Sequence, residues 1–336
     1  MKKILPFFLF ATLFFSCDRP VKEPEVMVIT GVAMTVPYKI IIEELSEKNL
    51  EGLKKRLSET FDEIDSLYNK WNKDSELSKI NDLQKNERQP ISKKLSSFLK
   101  TTSLFVELTE NKFDPTIESI QDIWKESLNN HQLPDRDTLT LFSRGLGWDK
   151  IHLDGDFIYK DSSLTRIDLG GIAKGFAVDL LVDRFQELGL NNFYVEWGGE
   201  IKVKGQHPSG RPWRVFIAKL DDSNPNQAIA FINLNDGDAL ATSGDYLQYW
   251  TLKTDNGKEL KLCHVIDPKT AQPLAITPAS LCSVTVKANS CMAADAIATS
   301  LMLFPNYEEA LKGIFSLDGL FPNLEVWMTS RNLLEN

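Results

Sequence analysis

The chain has 336 residues, 42% of them apolar and 25% charged, and its 47 acidic side chains against 38 Lys and Arg give a formal charge of −9. That balance excludes a disordered polyelectrolyte and argues against a nucleic-acid partner, because the phosphate backbone demands a basic face. Outside the first residues no apolar run reaches the ~20 residues that a membrane-spanning helix needs.

Lys2 and Lys3 precede a largely apolar run from Ile4 to Phe15, which ends in Ser16-Cys17. A charged start, a short apolar core and a small residue before the cut describe a secretory signal over residues 1–16. A cysteine directly after the small residue is what lipoprotein processing uses, so Cys17 is expected to carry lipid. Residues 17–26 hold two prolines and mixed charge and read as a tether. The chain is therefore expected on the periplasmic side of a bacterial membrane, with residues 27–336 forming one domain. In that oxidising space Cys263, Cys282 and Cys291 are odd in number and contain no Cys-x-x-Cys pair. No disulfide framework or zinc site is indicated; they read as small buried hydrophobes, with one disulfide left open.

Along the mature chain, Met27–Leu45 is rich in Val and Ile and reads as a strand pair. Leu50, Leu53, Leu57, Phe61, Ile64, Leu67 and Trp71 recur at spacings of three and four, predicting a helix over 46–71. A second helix follows Ser92 as its cap. Residues 113–125 lead into a short helix, and 134–146 read as a helix-and-loop insertion. A third strong helix spans 171–188 and stops at Gly189. Short strands are expected at 192–197, 201–205, 213–219, 227–234 and 239–242. Asp255-Asn256-Gly257 marks a hairpin, 283–287 a strand, 291–304 a helix and 320–329 a final strand. Hairpins mixed with helices predict an α+β fold of mixed or antiparallel sheets with packed helices.

Five segments carry chemistry. Asp168-Leu-Gly-Gly-Ile-Ala-Lys174-Gly175 places free N–H groups and a lysine at a helix start, which reads as an anion site suited to phosphate or as a plain tight turn; neither the Walker A nor the GxGxxG spacing is present. The Gly198-Gly199 pair in Trp197-Gly-Gly-Glu200, between two strands, suggests close ligand approach or a simple turn. Ala241-Thr-Ser-Gly-Asp245-Tyr246 ends a strand, and Ser243 lacks the GxSxG elbow of a hydrolase nucleophile. His264-Val-Ile-Asp267-Pro268 puts a histidine on an apolar strand. Asp295 and Thr299 in Ala293-Ala-Asp-Ala-Ile-Ala-Thr share one helical face. A carboxylate and a hydroxyl are hard oxygen ligands suited to Mg²⁺ beside a phosphate; a carboxylate bonded to backbone is the alternative.

In this order and spacing these segments, together with Gly31-Val-Ala-Met34-Thr, Trp71–Asn81 and Phe113-Asp114-Pro115-Thr116, resemble the ApbE family of FAD:protein FMN transferases over roughly residues 28–330. The resemblance implies an ApbE-like, T-fold-like architecture and a Mg²⁺-dependent enzyme. Such an enzyme moves FMN from FAD onto a Thr or Ser hydroxyl of an exported flavoprotein, such as a subunit of a redox-driven ion pump, and releases AMP. It also implies Gly171 (by its carbonyl), Asp295 and Thr299 as metal ligands, and Lys174 at the FAD. Met34, Trp71 and Phe113–Thr116 would line the flavin and adenosine pockets. His264 matches the position suspected of acid–base work, with Asp245 and Asp267 as the other candidate bases. An FAD pyrophosphatase, or a flavin- or solute-binding lipoprotein without chemistry, are the alternatives. Two positions depart from the family pattern: Thr35 and Ala271 stand where glycine is usual.

Overall fold

The computed structural model describes residues 26–218, 228–245, 248–253, 257, 259–321 and 323–331. Cys17, the signal and the tether lie outside them. The first strands are β1 (Val26–Ala33) and β2 (Val36–Glu43). Helices α1 (Glu47–Tyr68) and α2 (Glu76–Asp82), the short β3 (Gln89–Pro90), and helices α3 (Lys93–Leu108), α4 (Glu118–Asn129) and α5 (Arg136–Ser143) follow. Next come β4 (Ile151–Asp154), β5 (Phe157–Lys160), α6 (Ala173–Glu187), β6 (Phe193–Trp197) and β7 (Glu200–Lys204). The remainder is β8 (Trp213–Ala218), β9 (Ala228–Leu234), β10 (Ala239–Gly244), β11 (Tyr249–Lys253), β12 (Glu259–Asp267), β13 (Gln272–Ala275), β14 (Leu281–Ala288), α7 (Cys291–Leu301), α8 (Tyr307–Asp318) and β15 (Glu325–Ser330).

Seven strands form the main sheet in the order β1-β2-β6-β7-β10-β14-β15, and the pairs between these strands are antiparallel. The expected α+β class is what the chain adopts. Helices α1, α3 and α6 pack on β2 and β6 through Leu53, Leu57, Phe98, Leu181, Ile40 and Phe193. Helix α7 packs on β10 and β14 through Ala294, Ile297, Ala298, Val284 and Val286. The β8–β9 hairpin covers the opposite face, with Trp213, Ile232 and Leu234 against Tyr194, Ile201 and Val203. Strand β14 is buried along its whole length: Cys282, Val284 and Val286 alternate with Ser283, Thr285 and Lys287, so even its polar face is covered.

Local chemistry explains the boundaries. Ser46, Ser75, Ser92 and Ser290 each accept a hydrogen bond from the backbone N–H three residues on, the N-cap that side-chain oxygens supply. Gly189 ends α6 at φ +79°. Helices α2 and α8 and the strands β3, β4, β5 and β13 are not foreseen by the periodicity. They are too short, or their apolar spacing too irregular, to sum to a signal. The final strand begins at Glu325 rather than 320, since Tyr307–Asp318 ahead of it is helical. Asp255 and Asn256 lie outside the described residues, and the strands they join pair antiparallel, Lys253 opposite Glu259. Cys263, Cys282 and Cys291 are free and buried. Among the described residues no helix is long and apolar enough to cross a membrane.

Candidate active site

One end of the main sheet opens into a cleft of two lobes. The larger, about 660 Å³, carries Met34 and four tryptophans, Trp71, Trp124, Trp197 and Trp250, on its walls and is called the aromatic lobe. The smaller, about 390 Å³, is polar, with Asp114, Gly171, Ser243, Asp295 and Thr299 on its surface. Asp168, Gly170, Lys174, Gln248 and His264 border both lobes, so the two form one elongated groove.

The polar lobe is built where α6 meets α7. Asp179 of α6 caps α7: its carboxylate accepts from the N–H groups of Cys291 and Met292, each at 3.0 Å, and from the Ser290 hydroxyl at 2.8 Å. That cap fixes the helix carrying Asp295 and Thr299. Gly175 allows the close approach, since a Cβ there would sit 2.3 Å from the Cys291 carbonyl oxygen. The Gly175 N–H donates to Asp295 Oδ2 at 3.0 Å. Burial pushes the Asp295 carboxyl above the usual range, and Lys174 opposes that rise. Thr299 Oγ1 lies 3.2 Å from Ser243 Oγ. It would be 2.9 Å from any Cβ at Gly171, so only glycine brings this backbone against the hydroxyl. Asp295, Thr299 and Gly171, gathered on the sequence evidence, do converge.

Lys174 pairs with Glu200, the first residue of β7. Burial works against its charge, but Glu200 and then Asp295 outweigh that and keep the ammonium protonated above its ordinary range. Glu200 is 2% exposed, and burial raises its carboxyl to about 7 against the pull of Lys174. Neither Glu200 nor Lys70 is a site residue on sequence grounds. Lys70 holds Asp168 at 2.8 Å on the wall shared by the lobes; a lysine inside Asn-Lys-Trp gives no signal apart from its fold.

The loop carrying Asp168 is clamped from behind. The Asn81 side chain accepts from the Ile167 N–H at 2.7 Å and donates to its carbonyl at 2.9 Å, and Asp168 N–H donates to the Pro115 carbonyl at 2.7 Å. The Trp71–Asn81 motif thus has a wall residue at one end and a loop anchor at the other. Trp71 itself is 69% exposed, with Lys70 and Lys125 over its ring at 4.9 and 5.0 Å. Met34 lines the aromatic lobe from a two-residue turn.

His264 stands on β12 between the lobes, its Nδ1 3.3 Å from the Gln248 carbonyl. Burial lowers its pKa below the ordinary 6.5, against the Gln248 carbonyl, which raises it. The imidazole is therefore neutral at neutral pH and free to take a proton.

Four expectations need correction. Asp245 is buried and held by two hydrogen bonds from Arg331, at 2.9 and 2.7 Å, so both its oxygens are committed and it is not an available base. Asp267 accepts from the Lys269 N–H at 2.9 Å and the Thr270 hydroxyl at 3.0 Å; it builds the turn after β12 and lines neither lobe. Phe113, Asp114 and Pro115 line the polar lobe, but Thr116 lies behind it. Its hydroxyl donates to Asp114 at 2.7 Å and accepts from the Gly147 N–H at 2.8 Å. Gly198 lines the lobe, whereas Gly199 only completes the turn, at φ +102°.

A sequence profile of the ApbE family matches residues 34–319, a span that takes in the cleft-forming segments. The chain belongs to the ApbE family. This ApbE chain is 37% identical to an FAD:protein FMN transferase of Chlamydia trachomatis, over 92% of its own length and 91% of that protein. It is 30% identical to an FAD:protein FMN transferase of Escherichia coli, over 93% and 89%. The solved flavin transferase ApbE from Vibrio cholerae superposes with a TM-score of 0.73 at 28% identity, covering 91% of this chain and 94% of that one. A flavinyl transferase from Pseudomonas stutzeri, at 24% identity, shares the fold with a TM-score of 0.76.

Proposed function

We propose that this chain is an FAD:protein FMN transferase that moves FMN from FAD to a threonine or serine hydroxyl of an exported flavoprotein, releases AMP and requires Mg²⁺. The observation that carries the reading is the continuity of the aromatic lobe with the polar lobe, with His264 on their shared wall. An isoalloxazine ring suits the first, and a diphosphate suits the second.

The donor set at the polar lobe fits Mg²⁺. Among the described residues no cluster of three or more His, Cys, Asp or Glu side chains could hold a metal. A cation would rest on Asp295, Thr299 and the Gly171 carbonyl, completed by phosphate and water, as Mg²⁺ commonly does. When bound it supplies positive charge to the diphosphate. Such charge is needed, because Glu200 and Asp295 place two carboxylates around one ammonium on the lobe floor. His264 takes the proton of the acceptor hydroxyl. The acceptor oxygen bonds to the FMN-side phosphorus, the anhydride bond breaks and AMP leaves with the bonding pair. AMP is a weakly basic leaving group, so activation of the hydroxyl is the demanding part.

The test is to incubate the purified chain with FAD and Mg²⁺, with and without a candidate exported flavoprotein, following AMP and covalent flavin on the acceptor. AMP that forms only with acceptor, alongside a fluorescent acceptor band, supports transfer. AMP without acceptor makes the chain a pyrophosphatase, and no AMP at all makes it a binder.

We also propose that Cys17 is lipidated and anchors the protein facing the periplasm. The support is the short apolar run ending in Ser16-Cys17. Diacylglycerol bears two chains, enough for stable anchoring. Val26 opens β1 at the end of the strand away from Met34, so the tether would leave the sheet opposite the cleft. A Cys17→Ser protein is expected in the soluble fraction; one that still sediments with membranes defeats the proposal.

A further inference from the structure

Two buried carboxylates act on Lys174, and one of them, Asp295, belongs to the proposed metal contacts. The other is Glu200. It follows the Gly198-Gly199 turn and lines the polar lobe together with Lys174 and Asp295. It is 2% exposed. One carboxylate oxygen contacts the Lys174 ammonium, and the other, Oε2, is buried with no hydrogen-bond partner. A carboxylate oxygen buried without a partner is costly. The Lys174 side chain keeps 31% of its surface exposed, open to the cleft. The Gly198 backbone lies against both side chains: a Cβ there would be 3.4 Å from Lys174 Cδ and 3.3 Å from Glu200 Oε2.

We propose that Glu200 is a positioning residue acting through Lys174: it holds the ammonium and cancels its charge, so that a diphosphate is attracted to the polar lobe only together with a divalent cation. The inference rests on the flavin-transferase reading of the cleft. A lone ammonium on the lobe floor would draw in the FAD diphosphate without help. With Glu200 paired to it the ammonium offers little net charge to the lobe, and a cation bound at Asp295 supplies the positive charge that draws the diphosphate in. Glu200 thereby links substrate entry to metal loading, a coupling that is the same read from either ligand.

The experiment is equilibrium FAD binding, read by quenching of flavin fluorescence, in EDTA and in saturating Mg²⁺. It compares wild type, Glu200→Gln, Lys174→Met and the double variant, each checked for an unchanged melting profile. Glu200→Gln is expected to bind FAD about tenfold more tightly in EDTA, and the tightening caused by Mg²⁺ is expected to shrink by a similar factor, within the usual range for coupled sites. In the Lys174→Met background the same change should lose most of that gain. Glu200→Ala serves where Glu200→Gln does not fold. Unchanged or weaker EDTA affinity in folded Glu200→Gln overturns the proposal, and so does the full gain persisting without Lys174. Wild type that takes up no FAD in either condition overturns instead the flavin reading of the cleft, and this inference falls with it.

Discussion

Gly175 and Asp295 meet across the α6–α7 contact: the Gly175 N–H donates to Asp295 Oδ2 at 3.0 Å, and the missing Cβ of Gly175 is what lets the helices come so close. A methyl group would collide with the Cys291 carbonyl at 2.3 Å, and that carbonyl belongs to the capped first turn of α7. Gly175→Ala should therefore push α7 outward and lower stability by about 1–3 kcal/mol, the range for overpacking a filled interior. FAD turnover should fall further than stability, because Asp295 moves with the helix. Thermal melts and AMP release measured below the melting temperature separate the two effects.

Asp295→Asn keeps the side-chain shape and can still accept the Gly175 hydrogen bond, but it removes the charge. AMP release should be abolished while the melting temperature holds or rises, since burial already disfavours the ionised carboxyl. Thr299→Ala should be milder, because a neutral hydroxyl can be replaced by water. A Mg²⁺ titration of activity for both variants checks the order; near-normal Mg²⁺ dependence in Asp295→Asn removes this residue from the metal site.

His264→Ala should cut turnover by about 10²–10⁴-fold with FAD affinity nearly unchanged, the usual cost of losing a general base. The direction of its pKa shift sets the pH dependence. The neutral imidazole is the active form, protonation removes it as pH falls, and burial lowers the pKa. The acidic limb of the wild-type rate profile should thus lie below pH 6.5. Asp245→Asn offers the contrast: it loosens the Arg331 pair and should lower the melting temperature while folded protein keeps its acidic limb in place. A limb that disappears with Asp245 instead would restore it as the base.

Thr35 and Ala271, the two departures from the family pattern, both occupy left-handed backbone, at φ +68° and +55°. Met34 and Thr35 make a two-residue hairpin turn with positive φ at both positions, the geometry that prefers glycine at its second residue. A β-branched side chain in that region carries about 1–2 kcal/mol of strain. Thr35→Gly should stabilise the protein by about 1 kcal/mol, part of the strain being offset by the freedom glycine has in the unfolded chain. Ala271→Gly should gain less, since it gives up a buried methyl group. Chemical denaturation of the two variants reads the difference, and a loss of stability in Thr35→Gly would contradict the strain.

The amino-acid sequence by itself determined the long helices α1, α3 and α6, with the Ser92 cap of α3 and the glycine stop of α6, because apolar spacing and capping are local and sum over many residues. It also singled out short segments, most of which contribute residues to the cleft. Asp295 and Thr299 could be placed on one face because the period of a helix is fixed. The tertiary structure alone decided what those residues face. Asp245 and Asp267 read as well as His264 in the one-dimensional string, yet the first is spent on Arg331, 86 positions away, and the second on its own turn. Glu200 was legible only as the end of the Trp197-Gly-Gly-Glu segment and Lys70 not at all, and both acquire their importance by packing beside Lys174 and Asp168. Hydrophobic periodicity records how a segment buries itself, whereas the partner of a buried charge is set by contacts between segments far apart in the chain, and that information exists only once the sheet has formed.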